Sequence, residues 1–202
     1  MNTYNFDLVL PVKFEYDIKY FQDHYNKYYA NTISIGYGDE NPNNNPYFRS
    51  LMDKYDFLSD HLGWFKILPY YSFPIHIDDT THYPRMAVLN IPVYNCDERT
   101  TTNYYDIAPD DPNWDHKEDR NNTQKMLSRA SFYNVQRAGI ENIPKPVYTY
   151  SNMEPVLMNV TKAHDVKNRG LKTRVVASWH VKPNKFEDCR DYLISQGLID
   201  KP

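Results

Sequence analysis

The sequence predicts one mainly β domain, a sandwich or barrel, with a layer of supporting helices. From Trp64 onward, short runs rich in β-branched and aromatic residues alternate with turn formers and show no helical periodicity. The first third instead carries two stretches with apolar residues at spacings of three and four. At 202 residues, with 41% hydrophobic and 24% charged side chains, the chain suits one globular core better than two small ones.

Residues 6–12 (FDLVLPV) read as a short strand. Between Tyr16 and Ala30, Ile18, Phe21 and Tyr25 mark one face of a helix. The polar, asparagine-rich residues 38–45 are predicted to be a loop. A second helix is expected through Phe48, Leu51, Met52, Tyr55 and Leu58, with Leu62 one turn on and Gly63 as its stop. Residues 1–63 would then be a helical support. The β core would span residues 64–182, in the runs WFKILPYYSFPIHI, MAVLNIPVYN, TNYYDIA, PVYTY, PVLMNV and TRVVASWHV. Residues 106–126 are strongly polar and contain Pro109 and Pro112, as expected of a long loop that is either a lid or a plain insertion. In segment 183–202, Asn184 is placed to cap a last helix, FEDCRDYLISQ, ending at Gly197. No internal repeat or linker divides the chain.

Composition excludes several classes. A net charge of -3 exerts no general pull on nucleic acid. The basic residues Lys162, Lys167, Arg169, Lys172, Arg174, Lys182 and Lys185 are followed closely by acids, as on a solvated face. Cys96 and Cys189 have no metal-site spacing and cannot make a disulfide framework. The start, MNTYNFDLVLPVKFEYD, lacks a basic segment followed by a long apolar run, so no signal peptide is expected. Nothing approaches the ~18 apolar residues of a membrane span. A cytoplasmic protein is expected, in which the Asn-x-Thr sequons at Asn121 and Asn159 go unused. The 19 tyrosines suit a β protein with a pocket, although codon bias would produce the same excess.

The informative chemistry begins at His76-Ile77-Asp78. On an extended strand, residues i and i+2 share a face, so an imidazole and a carboxylate stand side by side and can hold adjacent positions of a metal. His164, at a turn after PVLMNV, is the best candidate for a third ligand, with His82 as second choice in the turn TTHYPR. Two histidines and one carboxylate on one face of iron leave the other positions open for cosubstrate and oxygen. Arg174 follows ten residues after His164, on the next strand, where a hairpin-like return would bring its guanidinium to the pocket. There it can grip the carboxylate of a dicarboxylate cosubstrate with two hydrogen bonds. Taken singly, each piece also fits a surface histidine, a core histidine or a structural salt bridge. Their order is more specific than any one of them. His180 shares the strand face of Arg174 and reads as a core or rim residue.

The order HID, then His164, then Arg174 resembles the iron(II)/2-oxoglutarate oxygenase superfamily. FPIHIDDTTHYPRMAVLNIPVYN together with AHDVKNRGLKTRVVASWHV is similar to its aspartyl/asparaginyl β-hydroxylase-like branch, including relatives in viruses of marine microbes. The resemblance covers roughly residues 64–182. It implies a double-stranded β-helix, of the jelly-roll or cupin-like kind, with Fe(II) on His76, Asp78 and His164. It also implies 2-oxoglutarate on Arg174, O2 as cosubstrate, and hydroxylation of a C–H bond with release of succinate and CO2. In that branch a strand of pattern Arg-x-x-x-x-Asn-x-Pro follows the first ligands, matched here by Arg85, Asn90 and Pro92. Arg85 or Asn90 would then face cosubstrate or substrate, with structural roles as the alternative. Tyr104 or Tyr105 would either add a hydrogen bond to the cosubstrate or serve as core aromatics. Asp78 departs from the branch, whose typical members lack the carboxylate ligand, and so directs the expectation toward the full triad and away from halogenation. A protein side chain, a free amino acid, a nucleobase or a small metabolite would each fit as substrate. The rival expectations are a cupin-like metal-binding or structural barrel without turnover, a metal-dependent enzyme needing no cosubstrate, and a β-sandwich interaction module.

Overall fold

A computed structural model describes residues 5–31, 36–78, 86–108, 110–115 and 130–201. In chain order its elements are β1 (Val9–Pro11), α1 (Ile18–Tyr28), β2 (Gly36–Glu40), a 3-10 turn at Pro42–Asn44, α2 (Pro46–Lys54), β3 (Leu58–Ile67), β4 (Ser72–Asp78), β5 (Ala87–Tyr94) and β6 (Thr100–Tyr104). There follow β7 (Trp114–Asp115), β8 (Ala130–Tyr133), α3 (Val135–Ala138), a 3-10 turn at Ile140–Asn142, β9 (Tyr148–Ser151), β10 (Val156–Asn159), β11 (His164–Asn168), β12 (Arg174–Val181) and α4 (Phe186–Ser195). The protein is mainly β. Its strands form two six-stranded sheets, ordered β1-β10-β5-β12-β3-β2 and β7-β8-β4-β11-β6-β9. Every pairing is antiparallel.

The pairings are nested. β3 lies against β12, β4 against β11, β5 against β10 and β6 against β9, so the run β3 to β6 is matched in reverse by β9 to β12. Successive pairs fall alternately in the first and second sheet.

Side-chain alternation gives the first sheet two different faces. Leu62 and Trp64 of β3, Leu89 and Ile91 of β5, and Val175, Ala177 and Trp179 of β12 join Phe21, Tyr25, Phe48, Phe186 and Leu193 of the helices in one buried cluster. Truncating a residue as large as Trp64 or Trp179 in such a core costs about 3–5 kcal/mol. The helices that cover this face begin where the sequence can cap them. Asp17 accepts from the amides of Lys19 and Tyr20, and Asn45 from those of Tyr47 and Phe48. Pro46 adds its preset φ at the start of α2. The other face of the first sheet, carrying Arg174, Ser178 and Asn90, looks at the second sheet. Across that gap Val88, Val156 and Met158 meet Tyr104 and Tyr150. The far face of the second sheet is closed by Ile75, Tyr105, Trp114, Tyr133 and Ala163.

Several expectations need correction. α2 stops at Lys54, and Leu58 already opens β3, so Leu62 and Gly63 are strand residues and Gly63 sits opposite Ser178. A spacing of four is also a multiple of two, so Leu58 and Leu62 mark one face of a strand as well as one face of a helix. The β region thus begins at Leu58, and the first third adds the edge strands β1 and β2, with residues 38–40 in β2 rather than in a loop. The strand expected at residues 6–12 narrows to β1. His164 opens β11 instead of lying in a turn. β11 and β12 lie in different sheets, so Arg174 faces the site across the sandwich and not through a hairpin. Asn184 stands one residue too early to cap α4, whose N-cap is Lys185. β8 and α3 were not foreseen. The loop expected at 106–126 is described only in part, through Asp115. Among the described residues, no helix is long and apolar enough to cross a membrane.

The corner joining β3 to β4 and the corner joining β11 to β12 are tied by one side chain. Asn168 Nδ2 donates to the carbonyls of Ile67, Leu68 and Lys172 at 3.1, 3.1 and 2.8 Å, and its Oδ1 accepts from Gly170 N at 2.9 Å. At 1% exposure, water cannot replace these bonds. Asn168→Ala is therefore expected to lose about 2–4 kcal/mol of stability in urea unfolding. A change below ~0.5 kcal/mol would show that the corners hold without it.

Candidate metal centre

The site is built on β4 and β11. His76 and Asp78, two residues apart on β4, share a face, with His76 Nε2 3.8 Å from Asp78 Oδ1. His164 is the direct antiparallel partner of His76, and the two rings lie 4.2 Å apart between centroids. One donor atom from each of the three falls within 4.8 Å of the other two. His76 and His164 are 5% and 3% exposed, so the carboxylate is the more open member of the group. Immediately after His164 the β4–β11 register shifts, a local irregularity of the kind that re-aims side chains beside functional sites.

Both imidazoles are held in one tautomer. Nδ1 of His76 lies 2.9 Å from the carbonyl of Pro74, and Nδ1 of His164 lies 2.8 Å from that of Lys162. A carbonyl only accepts, so each Nδ1 carries a proton and donates it. In the neutral rings the lone pairs are then on Nε2, and the same bonds fix ring orientation, as a metal-bound histidine requires. Phe73 and Phe132 pack against His76 at 4.9 and 5.9 Å, and Tyr104 lies 5.8 Å from His164, so the donors sit among aromatic rings.

One step further along the strands, Thr102 pairs with Val166 on one side and Tyr150 on the other. Residues i and i+2 on a strand stand roughly 7 Å apart, which sets this row about that distance behind the row of Tyr104, His164 and His76. Arg174 reaches into the gap beside it from the facing sheet. Arg174 is 2% exposed, and its Nε has no hydrogen-bond partner among the described residues. Among the described residues it meets no carboxylate. Burial pushes the Tyr150 hydroxyl and the Cys96 thiol up from their ordinary values, while the charge of Arg174 beside them pulls both back. Asn90 donates to Met158 Sδ at 3.1 Å, but among the described residues its Oδ1 has no partner, and both amide atoms of Asn152 are buried without one. A buried polar group left unpaired costs about 1–3 kcal/mol, so Arg174 Nε and Asn90 Oδ1, on the same face of the first sheet, are suited to a small polar molecule.

Of the residues singled out in the sequence, His76, Asp78 and His164 come together, with Arg174 and Asn90 on the facing sheet. Tyr104 stands beside His164, but its hydroxyl donates to the carbonyls of Leu8 and Asn159 at 3.1 and 3.2 Å. Burial raises that hydroxyl well above its ordinary value, so it stays a donor that anchors the chain near β1. Tyr105 points to the opposite face and donates to Asp165 at 2.6 Å. His180 lies against His61, with ring centroids 4.1 Å apart. Arg85 and His82 lie outside the described residues. Sequence reasoning missed Tyr150, Asn152 and Cys96. Tyr150 lies on β9, and only the pairing of β9 with β6 brings it beside Thr102, on the face turned to the first sheet.

No protein-family model matches the chain, and no curated protein matches it.

The geometry predicts that the apo-protein binds one divalent first-row metal ion, seen by calorimetric titration with Co(II). His76→Ala and His164→Ala should each weaken binding by more than the roughly 10–100-fold lost with an outer-shell partner. Unchanged affinity in both folded variants would place the metal elsewhere.

Proposed function

We propose that this chain is an Fe(II)- and 2-oxoglutarate-dependent oxygenase on a double-stranded β-helix. The observation that carries the reading is the company His76, Asp78 and His164 keep. About one strand row behind them is a buried guanidinium that meets no carboxylate of the described protein. The nested pairing of β3–β6 with β9–β12 supports the double-stranded β-helix, since a jelly roll is a folded-back ribbon whose successive pairs alternate between two sheets.

The donor set fits the metal. Two neutral imidazoles and one carboxylate, gathered on one side, suit non-heme iron with positions left open. Bound there together, Fe(II) and 2-oxoglutarate supply the oxidising power for C–H hydroxylation, with O2 consumed and succinate and CO2 released. The protein's own part is positioning. The carbonyls of Pro74 and Lys162 hold the two rings with Nε2 inward. Arg174 would pair with the distal carboxylate of the cosubstrate through two charge-assisted hydrogen bonds. Asn90 and Tyr150 flank that end and offer further polar contacts. Phe73 and Phe132 limit water beside His76. The substrate is one that presents a C–H bond to the open side of the triad.

The test is turnover. Protein supplied with Fe(II), 2-oxoglutarate and air should release succinate, followed by NMR, and His76→Ala should abolish it. Arg174→Ala should raise the KM for 2-oxoglutarate about 10–100-fold, in line with the loss of charge-assisted hydrogen bonds. Arg174→Lys should recover part of this. Metal binding with no succinate, or a KM indifferent to Arg174, would favour a metal-binding barrel that performs no such oxidation.

A further inference from the structure

A second polar cavity lies on the other side of the first sheet, between α1, β2 and the start of α2. Its volume is about 370 Å³, and it is lined by His24, Tyr28, Tyr29, Glu40, Asn44 and Asn45. At its base stands the carboxylate of Glu40, whose side chain is 12% exposed. Three donors converge on one oxygen: His24 Nε2 at 2.9 Å, Trp64 Nε1 at 3.1 Å and the Tyr29 hydroxyl at 3.3 Å all meet Oε2.

The charge on this carboxylate is not offset by a protonated histidine. Asn45 Oδ1 is already committed as an acceptor, taking the amides of Tyr47 and Phe48 and the hydroxyl of Tyr20. Its Nδ2 therefore donates to His24 Nδ1, 3.2 Å away. An imidazole that accepts at Nδ1 and donates at Nε2 is neutral. Among the described residues, no lysine or arginine pairs with Glu40. The cavity thus holds one negative charge, largely removed from water, with donors on one oxygen only. A carboxylate in that position gains much from a cation. The walls are suited to an organic one, because the aromatic side chains of Tyr28 and Tyr29 line the cavity with Glu40. The ammonium of Lys27 sits 4.8 Å over the Tyr28 ring and not on Glu40.

We infer that this cavity binds an alkylammonium group, hydrogen-bonded to Glu40 Oε1 and flanked by Tyr28 and Tyr29. The group would belong to a free amine or to the end of a lysine side chain. The inference is independent of the metal centre, since it uses the helix-bearing face of the sheet and none of the residues between the sheets.

The Trp64 indole N–H, bonded to Glu40, is a local reporter. Its resonance in a 1H–15N spectrum is assigned by its absence in Trp64→Phe. Titration of the whole chain with n-butylammonium chloride, against equal sodium chloride, should move it saturably. Nα-acetyl-lysine N-methylamide does the same for a side-chain source, and the tighter of the two identifies which source the site prefers. Glu40→Gln keeps an acceptor for the three donors while removing the charge, and should weaken binding about tenfold or more. Tyr28→Ala, at a rim residue 49% exposed, should weaken it about threefold without disturbing the fold. No saturable shift with either amine, or a shift of equal affinity in Glu40→Gln, would overturn the assignment.

Discussion

The antiparallel pairing of β4 with β11 puts His164 opposite His76, and the geometry between the sheets depends on that register. A slip of one residue between them would set His76 opposite Ala163 or Asp165 and leave the two imidazoles on opposite faces of the second sheet. The register is held from both ends. Asn168 ties the two corners at one end, and at the other the amide of Asp78 donates to the carbonyl of Val160 at 3.1 Å. β6 pairs with β11 over its whole length and adds a third strand to the same alignment. The donor group is therefore presented by a strand framework and not by loops, which is how a constellation of side chains is kept within a few tenths of an ångström of working geometry.

The first sheet divides its chemistry between its faces. One face, with the helices, supplies most of the apolar burial through Trp64, Trp179 and their neighbours. This leaves the opposite face free to carry Asn90 and Arg174, groups that cost stability where they stand. A buried guanidinium with an unpaired Nε and amides lacking partners are the local inconsistencies that functional sites impose on an otherwise well-packed domain. On the proposed reading a dicarboxylate relieves part of that cost by pairing with Arg174, so ligand binding and folding stability are linked.

Much of the site was legible because its period is two. His76 and Asp78 could be placed on one face from spacing alone, and Arg174 could be expected near them from its strand. What stayed hidden depended on pairings between distant segments. Local sequence does not say that β9 lies beside β6, so Tyr150 and Asn152 looked like ordinary strand and loop residues. Nor does it say that β11 and β12 belong to opposite sheets, which is why Arg174 was expected from the wrong direction. Leu58 and Leu62 fit both periods, so local sequence extends the second helix beyond its end at Lys54. Pairing with β12, invisible locally, decided in favour of the strand. Asn168 gave no signal at all, since its partners are carbonyls up to 101 residues away.

The most direct test of the central claim is anaerobic titration of the apo-protein with Fe(II) and 2-oxoglutarate, watching for the weak visible charge-transfer band of the chelate. The band should appear in the wild type, be lost in His76→Ala, and need far more 2-oxoglutarate in Arg174→Ala. A folded, iron-loaded protein that shows no band at saturating 2-oxoglutarate would contradict it.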